Sequence, residues 1–160
     1  MNKYMEEAIN MAENNAKLNF TEGGPFGAVI VKDGVIVGRG KNCVLLDNDP
    51  TAHAEVKAIR DACKTLNTFD LTGCELYTSC YPCPMCLSAI IWSNITKVYY
   101  GNTKEDAANI GFRDDMIYDF IKSIGTDKEL KEILNLNSID REFTMDTFKK
   151  FDNQKDKTIY

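Results

Sequence analysis

The chain has 160 residues, 44% hydrophobic and 27% charged, an ordinary balance for a soluble globular protein. That length suits one domain, residues 1–160, burying about two-thirds of its unfolded surface. A formal charge of −5 and a sequence pI near 4.9 argue against a dedicated polyphosphate binder, because nucleic-acid surfaces are usually basic.

Residues 2–18 read as a helix, with Tyr4, Ala8, Ala12 and Ala16 recurring every four positions and Met5 and Ile9 beside them. The N-terminal stretch has no apolar signal core and no Arg-rich transit pattern, and no apolar run approaches a membrane span. A cytoplasmic protein is the expectation. Its six cysteines are then metal-bound or reduced thiols, not a disulfide framework. Phe26–Val31 and Val35–Gly40 are rich in β-branched residues, and the Asp33-Gly34 turn signal between them predicts a hairpin.

Asp47–Pro50 is a loop. Thr51 is the expected N-cap of a helix through about Lys64, with Ala54, Ala58 and Ala62 on one side. Glu75–Thr78 reads as a strand after the turn at Leu71–Gly73. A second helix starts near Pro82 or Cys83 and runs to about Ser93, and Thr96–Tyr100 is a further strand. Met116–Lys122 and residues 127–134 have helical character, whereas Arg141–Met145 reads as a strand or an extended arm. The lysines of the tail, Lys149 to Lys157, are interrupted by Asp152 and Asp156 and read as a solvated face. Strands alternating with helices give an α/β sandwich, and the hairpin makes its sheet mixed.

The chemistry concentrates in two segments. His53, the only histidine, precedes Glu55 by two residues in Thr51-Ala52-His53-Ala54-Glu55, and Pro82-Cys83-Pro84-Met85-Cys86 follows about thirty residues later. This is the H-x-E…P-C-x-x-C pattern of zinc-dependent base deaminases. His53, Cys83 and Cys86 supply three ligands for one Zn2+ per subunit and leave the fourth tetrahedral position to water or hydroxide. A helix start favours ionised cysteines. His53 and Glu55 would point about 200° apart on a continuous helix, so they converge only if His53 lies at an irregular first turn. Glu55 is placed to move protons instead of holding metal. The bland alternative is a closed structural site of His53 with Cys80, Cys83 and Cys86, in which Glu55 has no purpose. A redox reading of the C-x-x-C explains neither His53 nor Glu55. Cys80 reads as a buried thiol near the site, and Cys43, Cys63 and Cys74 as small core residues.

The chain also resembles the cytidine deaminase superfamily, over roughly residues 20–120. The residues that carry this are Gly23-Gly24-Pro25-Phe26-Gly27-Ala28, Asn42, Asn48-Asp49-Pro50-Thr51-Ala52-His53-Ala54-Glu55, Tyr77-Thr78-Ser79-Cys80, Pro82–Cys86, Ala89-Ile90 and Trp92. Within the superfamily it is most similar to the bacterial guanine deaminases, through Ser79-Cys80, Trp92, Gly111-Phe112-Arg113-Asp114-Asp115, Ile117-Tyr118 and the terminal Tyr160. The resemblance implies a three-layer α/β/α sandwich with a five-stranded mixed sheet. It implies a purine base held by Asn42, Phe26, Ala54, Trp92 and Tyr160, with Asp114 as a second carboxylate near the departing amine. It further implies a homodimer in which an arm from about residue 125 to 160 crosses to the partner. The chain departs from the family at Tyr81, where glutamate usually precedes Pro-Cys, and residues 127–140 align poorly.

Each of these residues also has an ordinary structural reading: Phe26 and Trp92 as packing, Asn42 as a turn cap, Asp114 as solvated surface. The rival functions are a tRNA adenosine deaminase, which shares the zinc motifs but needs a basic groove, an aminohydrolase of another small ring such as a pterin, triazine or nucleoside, and a non-catalytic zinc-stabilised binding module. No membrane partner is expected, and the acidic charge and extended tail speak against nucleic acid.

Overall fold

A computed structural model describes every residue except 113, 127, 129, 157, 159 and 160, and all but the side chain of 142. The chain divides into two compact units, Met1–Asp114 and Asp115–Tyr160.

In the first unit, α1 (Lys3–Lys17) starts where the Asn2 side chain accepts hydrogen bonds from the Tyr4 and Met5 amides at 2.8 and 3.2 Å. The expected apolar stripe holds at its start and then rotates. Tyr4, Met5, Ala8 and Met11 pack inward, Ile9 is exposed, and the buried residue of the last turn is Asn15. Strands β1 (Gly27–Lys32) and β2 (Val35–Lys41) form the predicted hairpin. Asp33 and Gly34 both have positive φ, 50° and 79°, which matches the right-handed twist of the flanking strands.

Next comes α2 (Ala54–Leu66), whose N-cap is His53. Thr51 does not cap it, because its amide and hydroxyl both donate to Asp49 Oδ1, at 2.8 and 2.7 Å. Then follow β3 (Glu75–Cys80), α3 (Pro84–Trp92), β4 (Lys97–Asn102) and α4 (Lys104–Asn109).

The sheet order is β2-β1-β3-β4, with β3 antiparallel to β1 and parallel to β4. Alternate residues face opposite layers. Val29, Val31 and Tyr77 meet α1, whereas Ala28, Ile30 and Leu76 meet Ala54, Ala58 and Ala62 of α2 and Ile90 of α3. This is the expected three-layer mixed α/β architecture. The sheet has four strands among the described residues, not five. After β4 the chain turns directly into α4, held by a reciprocal cap in which Thr103 Oγ1 accepts from the Asp106 amide at 3.2 Å and Asp106 Oδ2 from the Thr103 amide at 2.8 Å.

Glycine sets the depth of the α2 layer. A Cβ on Gly40 would collide with the backbone of Ala54 and Ala58, and one on Gly38 would stand 2.7 Å from Ala62 Cβ. The bare backbone of β2 lets α2 lie against it, which fixes where the helix begins and so where His53 and Glu55 project.

The second unit contains α5 (Asp115–Ser123) and α6 (Arg141–Asp152). The first matches the helix expected at Met116–Lys122. The second replaces the strand or arm expected at Arg141–Met145. Five residues are too few to show a helical period, which becomes visible only when Phe148 and Phe151 are counted with Met145. The described residues of 127–134 form a turn, with the Ile133 amide donating to Leu130 O at 3.0 Å, and not a helix.

Candidate metal and catalytic site

Two helix starts meet at the site. His53 is the N-cap of α2 and Cys83 the N-cap of α3, both with extended backbone, at φ −70° and −66°. Neither side chain caps its own helix, so both are available to a ligand. Pro84 occupies the first position of α3, where no amide hydrogen is needed. Cys86 is then carried one turn further on the inner face and is fully buried.

His53 Nδ1 lies 3.6 Å from Cys83 Sγ and 3.6 Å from Cys86 Sγ. Zinc–sulfur and zinc–nitrogen bonds of about 2.3 and 2.0 Å at tetrahedral angles imply an S···N edge of about 3.5 Å, so the donor set fits zinc. All three ligand atoms lie within 4.8 Å of one another. Cys80 is not part of this cluster. Its sulfur faces Thr103 O at 3.5 Å, and burial, followed by the Glu55 carboxylate, pushes its thiol up to about 11. The closed four-ligand site is therefore not formed.

Charge is shared unequally between the two ligand cysteines. A hydrogen bond from Cys86, with further help from His53, holds Cys83 well below the usual thiol range against its burial. Cys86 is driven up by that same hydrogen bond and by burial. His53 is raised, first by its bond to Cys83, while burial opposes this and Glu55 and Asp114 add to it.

Glu55 is 6% exposed, and desolvation raises its carboxyl above the usual range. A buried carboxylate with a raised pKa beside a cluster of potential metal ligands is a candidate proton carrier. Its Oε2 lies 3.4 Å from the Cys86 sulfur, and its Oε1 receives a hydrogen bond from the Thr78 hydroxyl at 3.2 Å. His53 as N-cap removes the 200° separation of a continuous helix, so His53 and Glu55 converge as the spacing required.

Asn42 follows β2 and is 4% exposed. Its Oδ1 accepts from the Gly24 and Val44 amides, both at 3.2 Å. Asn15 Nδ2 braces this turn by donating to Gly24 O at 2.8 Å and Asn42 O at 2.7 Å. Phe26, half-buried, meets Phe112 edge-on at 4.9 Å. Ala54 is wholly buried in the hydrophobic core.

Asp114 is half-buried and acts electrostatically on His53. Trp92 is 67% exposed at the opposite end of α3 from Cys83, and the first unit does not bring it to the cluster. Tyr160 and Arg113 lie outside the described residues. At Tyr81 the ring packs against Tyr100 at 5.0 Å, a use no carboxylate would share.

Sequence reasoning missed Thr78 and Asn15. The signal for Thr78 was a hydroxyl on the face of β3 that also carries Leu76. The signal for Asn15 was an amide in line with the apolar positions of α1.

Residues 1–102 match the model of the cytidine and deoxycytidylate deaminase zinc-binding region. The chain belongs to the cytidine and deoxycytidylate deaminase family. This deaminase is 53% identical over 115 residues to guanine deaminase of Bacillus subtilis, covering 72% of each chain. The crystal structure of guanine deaminase from Bacillus subtilis superposes with a TM-score of 0.89 at 43% identity, covering 100% of this chain and 99% of the other. A tRNA-specific adenosine deaminase of Aquifex aeolicus is 47% identical over 96 residues, 59% of this chain and 64% of that protein. A solved tRNA:A34 deaminase superposes with a TM-score of 0.60 at 38% identity over 64% of this chain. No helix among the described residues is long and apolar enough to cross a membrane.

Proposed function

We propose that this deaminase hydrolyses guanine to xanthine and ammonia. One observation carries the substrate: likeness to the Bacillus guanine deaminase structure extends over 100% of this chain, whereas likeness to the tRNA:A34 deaminase covers 64% of it.

His53, Cys83 and Cys86 would hold one zinc ion per subunit, which when bound supplies Lewis acidity and lowers the pKa of a water at its open position. Glu55 takes one proton from the attacking water and passes it to the ring nitrogen, then takes the second from the new hydroxyl and passes it to the departing amine. The amino group leaves as ammonia and the water oxygen becomes the new carbonyl. Burial supports this role, since desolvation raises the carboxyl from its usual range and so favours the proton-bearing form through which a proton is carried. Asp114 serves as a second carboxylate near the leaving amine.

Asn42 and Phe26 position the base. Two backbone amides occupy Asn42 Oδ1, so the side chain offers its NH2 as a donor, which suits an acceptor on the purine. Ala54 contributes through its amide in the first turn of α2, where no intrahelical acceptor is in reach. Trp92 and Tyr160 belong to the same proposal as pocket residues. The protein acts as a cytoplasmic homodimer built on one deaminase domain, residues 1–160, with an arm from about residue 125 to 160 exchanged between subunits. The family resemblance supports that arrangement.

Ammonia release from guanine, adenine, cytosine, cytidine and a tRNA anticodon stem-loop tests the substrate, with Glu55→Ala as control. Release from guanine alone, lost in the control, is expected. Release only from the stem-loop would assign the protein to tRNA editing instead.

A further inference from the structure

Thr78 is the central residue of the site face of β3. Its backbone is fixed from both sides, opposite Ala28 of β1 and Tyr100 of β4. The side chain is 1% exposed and points towards α2, on the same face as Leu76. A hydroxyl in that position costs free energy unless it is hydrogen-bonded, and an apolar side chain would fill the space without that cost. The hydroxyl is spent on one group, Glu55 Oε1, at 3.2 Å. Threonine is stiff at χ1, so a fixed backbone fixes the direction in which its Oγ1 points.

The two oxygens of Glu55 are therefore unequal. Oε1 is tied to the sheet, and Oε2 lies on the side of the Cys86 sulfur, 3.4 Å from it. Without the first contact the carboxylate could turn about its terminal torsion, which has only a broad, roughly two-fold preference.

We propose that Thr78 is a positioning residue for the proton carrier, its hydroxyl anchoring one oxygen of Glu55 so that the other faces the metal side of the site. The proposal rests on the reading of Glu55 as the group that moves protons. Thr78 touches neither substrate nor metal in this role. It acts through Glu55, so its loss slows the chemical step and leaves base binding intact.

The test compares Thr78→Val, which keeps the shape and removes the hydroxyl, with Thr78→Ser, which keeps the hydroxyl, alongside Glu55→Gln and the wild type. Zinc content, guanine kinetics and crystal structures of the zinc-loaded proteins are measured. Thr78→Val is expected to keep stoichiometric zinc and a KM within about twofold, with kcat lowered about tenfold to a hundredfold, the range that small misplacements of catalytic groups produce. Thr78→Ser is expected to recover most of kcat. The crystal structures are expected to show the Glu55 carboxylate rotated or split between two conformers in Thr78→Val alone.

A Thr78→Val enzyme with wild-type kcat and an unmoved Glu55 would overturn the proposal. So would equal losses in Thr78→Val and Thr78→Ser, because the methyl group and not the hydroxyl would then matter. Full turnover by Glu55→Gln would overturn the role of Glu55 and this proposal with it. An inactive Glu55→Gln beside an unaffected Thr78→Val would overturn this proposal alone. Should the wild type leave guanine untouched, the substrate reading fails, and the position of Glu55 in the Thr78→Val crystal still decides the anchoring.

Discussion

His53 Nδ1 and Cys83 Sγ stand 3.6 Å apart although thirty positions separate them in the chain. Each is the N-cap of its own helix, and neither uses its side chain to cap. Cap positions have non-helical backbone, so a cap side chain can leave the helix axis and meet a partner from another element. The two helix dipoles also direct positive potential at the place where thiolate charge gathers.

That convergence predicts strong linkage between metal and fold. Removing zinc with a chelator should abolish turnover and lower Tm, and stoichiometric zinc should restore both. A ligand that binds only the folded state stabilises it by mass action, about 4 kcal/mol at a thousand times its Kd. Differential scanning calorimetry with and without chelator checks this, and an unchanged Tm would count against a structurally coupled site.

Glu55→Gln should retain zinc and lose turnover by about two to four orders of magnitude, the usual contribution of a positioned proton carrier. Glutamine is close in shape and still accepts the Thr78 hydroxyl, so the fold should persist. Metal analysis together with steady-state kinetics separates loss of proton transfer from loss of zinc.

Gly40→Ala should act on the site from a distance. The added Cβ would meet the Ala54 and Ala58 backbone, which can yield only by moving the start of α2. Overpacking of this kind costs about 1–3 kcal/mol. Urea unfolding should show that loss, and zinc affinity measured by chelator competition should fall as well, because His53 moves with α2. The same substitution at Gly73, where a Cβ meets nothing within 4 Å, should leave zinc affinity unchanged despite its unfavourable φ of 82°.

Tyr77 predicts an alkaline limit. Burial, followed by its hydrogen bond to Glu75 at 3.1 Å, pushes its phenol up to about 12 from 10.0. Between those values the unfolded chain has lost the Tyr77 proton and the folded chain still holds it. The folded state therefore binds more protons, and stability falls as pH rises from about 10 towards 12. Denaturant midpoints across that window should decline less in Tyr77→Phe, which has no proton to lose.

Much of this was legible in the residues. The Asp33-Gly34 hairpin and the alanine row of α2 could be read because each depends on neighbours within about a dozen positions. The zinc triad could be read because H-x-E and P-C-x-x-C are rare combinations whose spacing meets a metal's geometry. Where the reading went astray, the deciding interaction lay elsewhere in the chain or the window was short. Thr51 looked like a cap until Asp49 claimed it. Arg141–Met145 was too brief to show a period. A strand count taken from the resemblance exceeded the four found among the described residues.

What the sequence by itself determined is the residue set: one histidine and two cysteines able to hold a metal, with one glutamate two positions from the histidine. What only the tertiary structure decided is how those donors are aimed. Long-range packing places Gly40 under Ala54, Asn15 behind Asn42 and Thr78 beneath Glu55, residues that are far apart in the chain. Orientation depends on contacts between distant segments, and no local spacing records them.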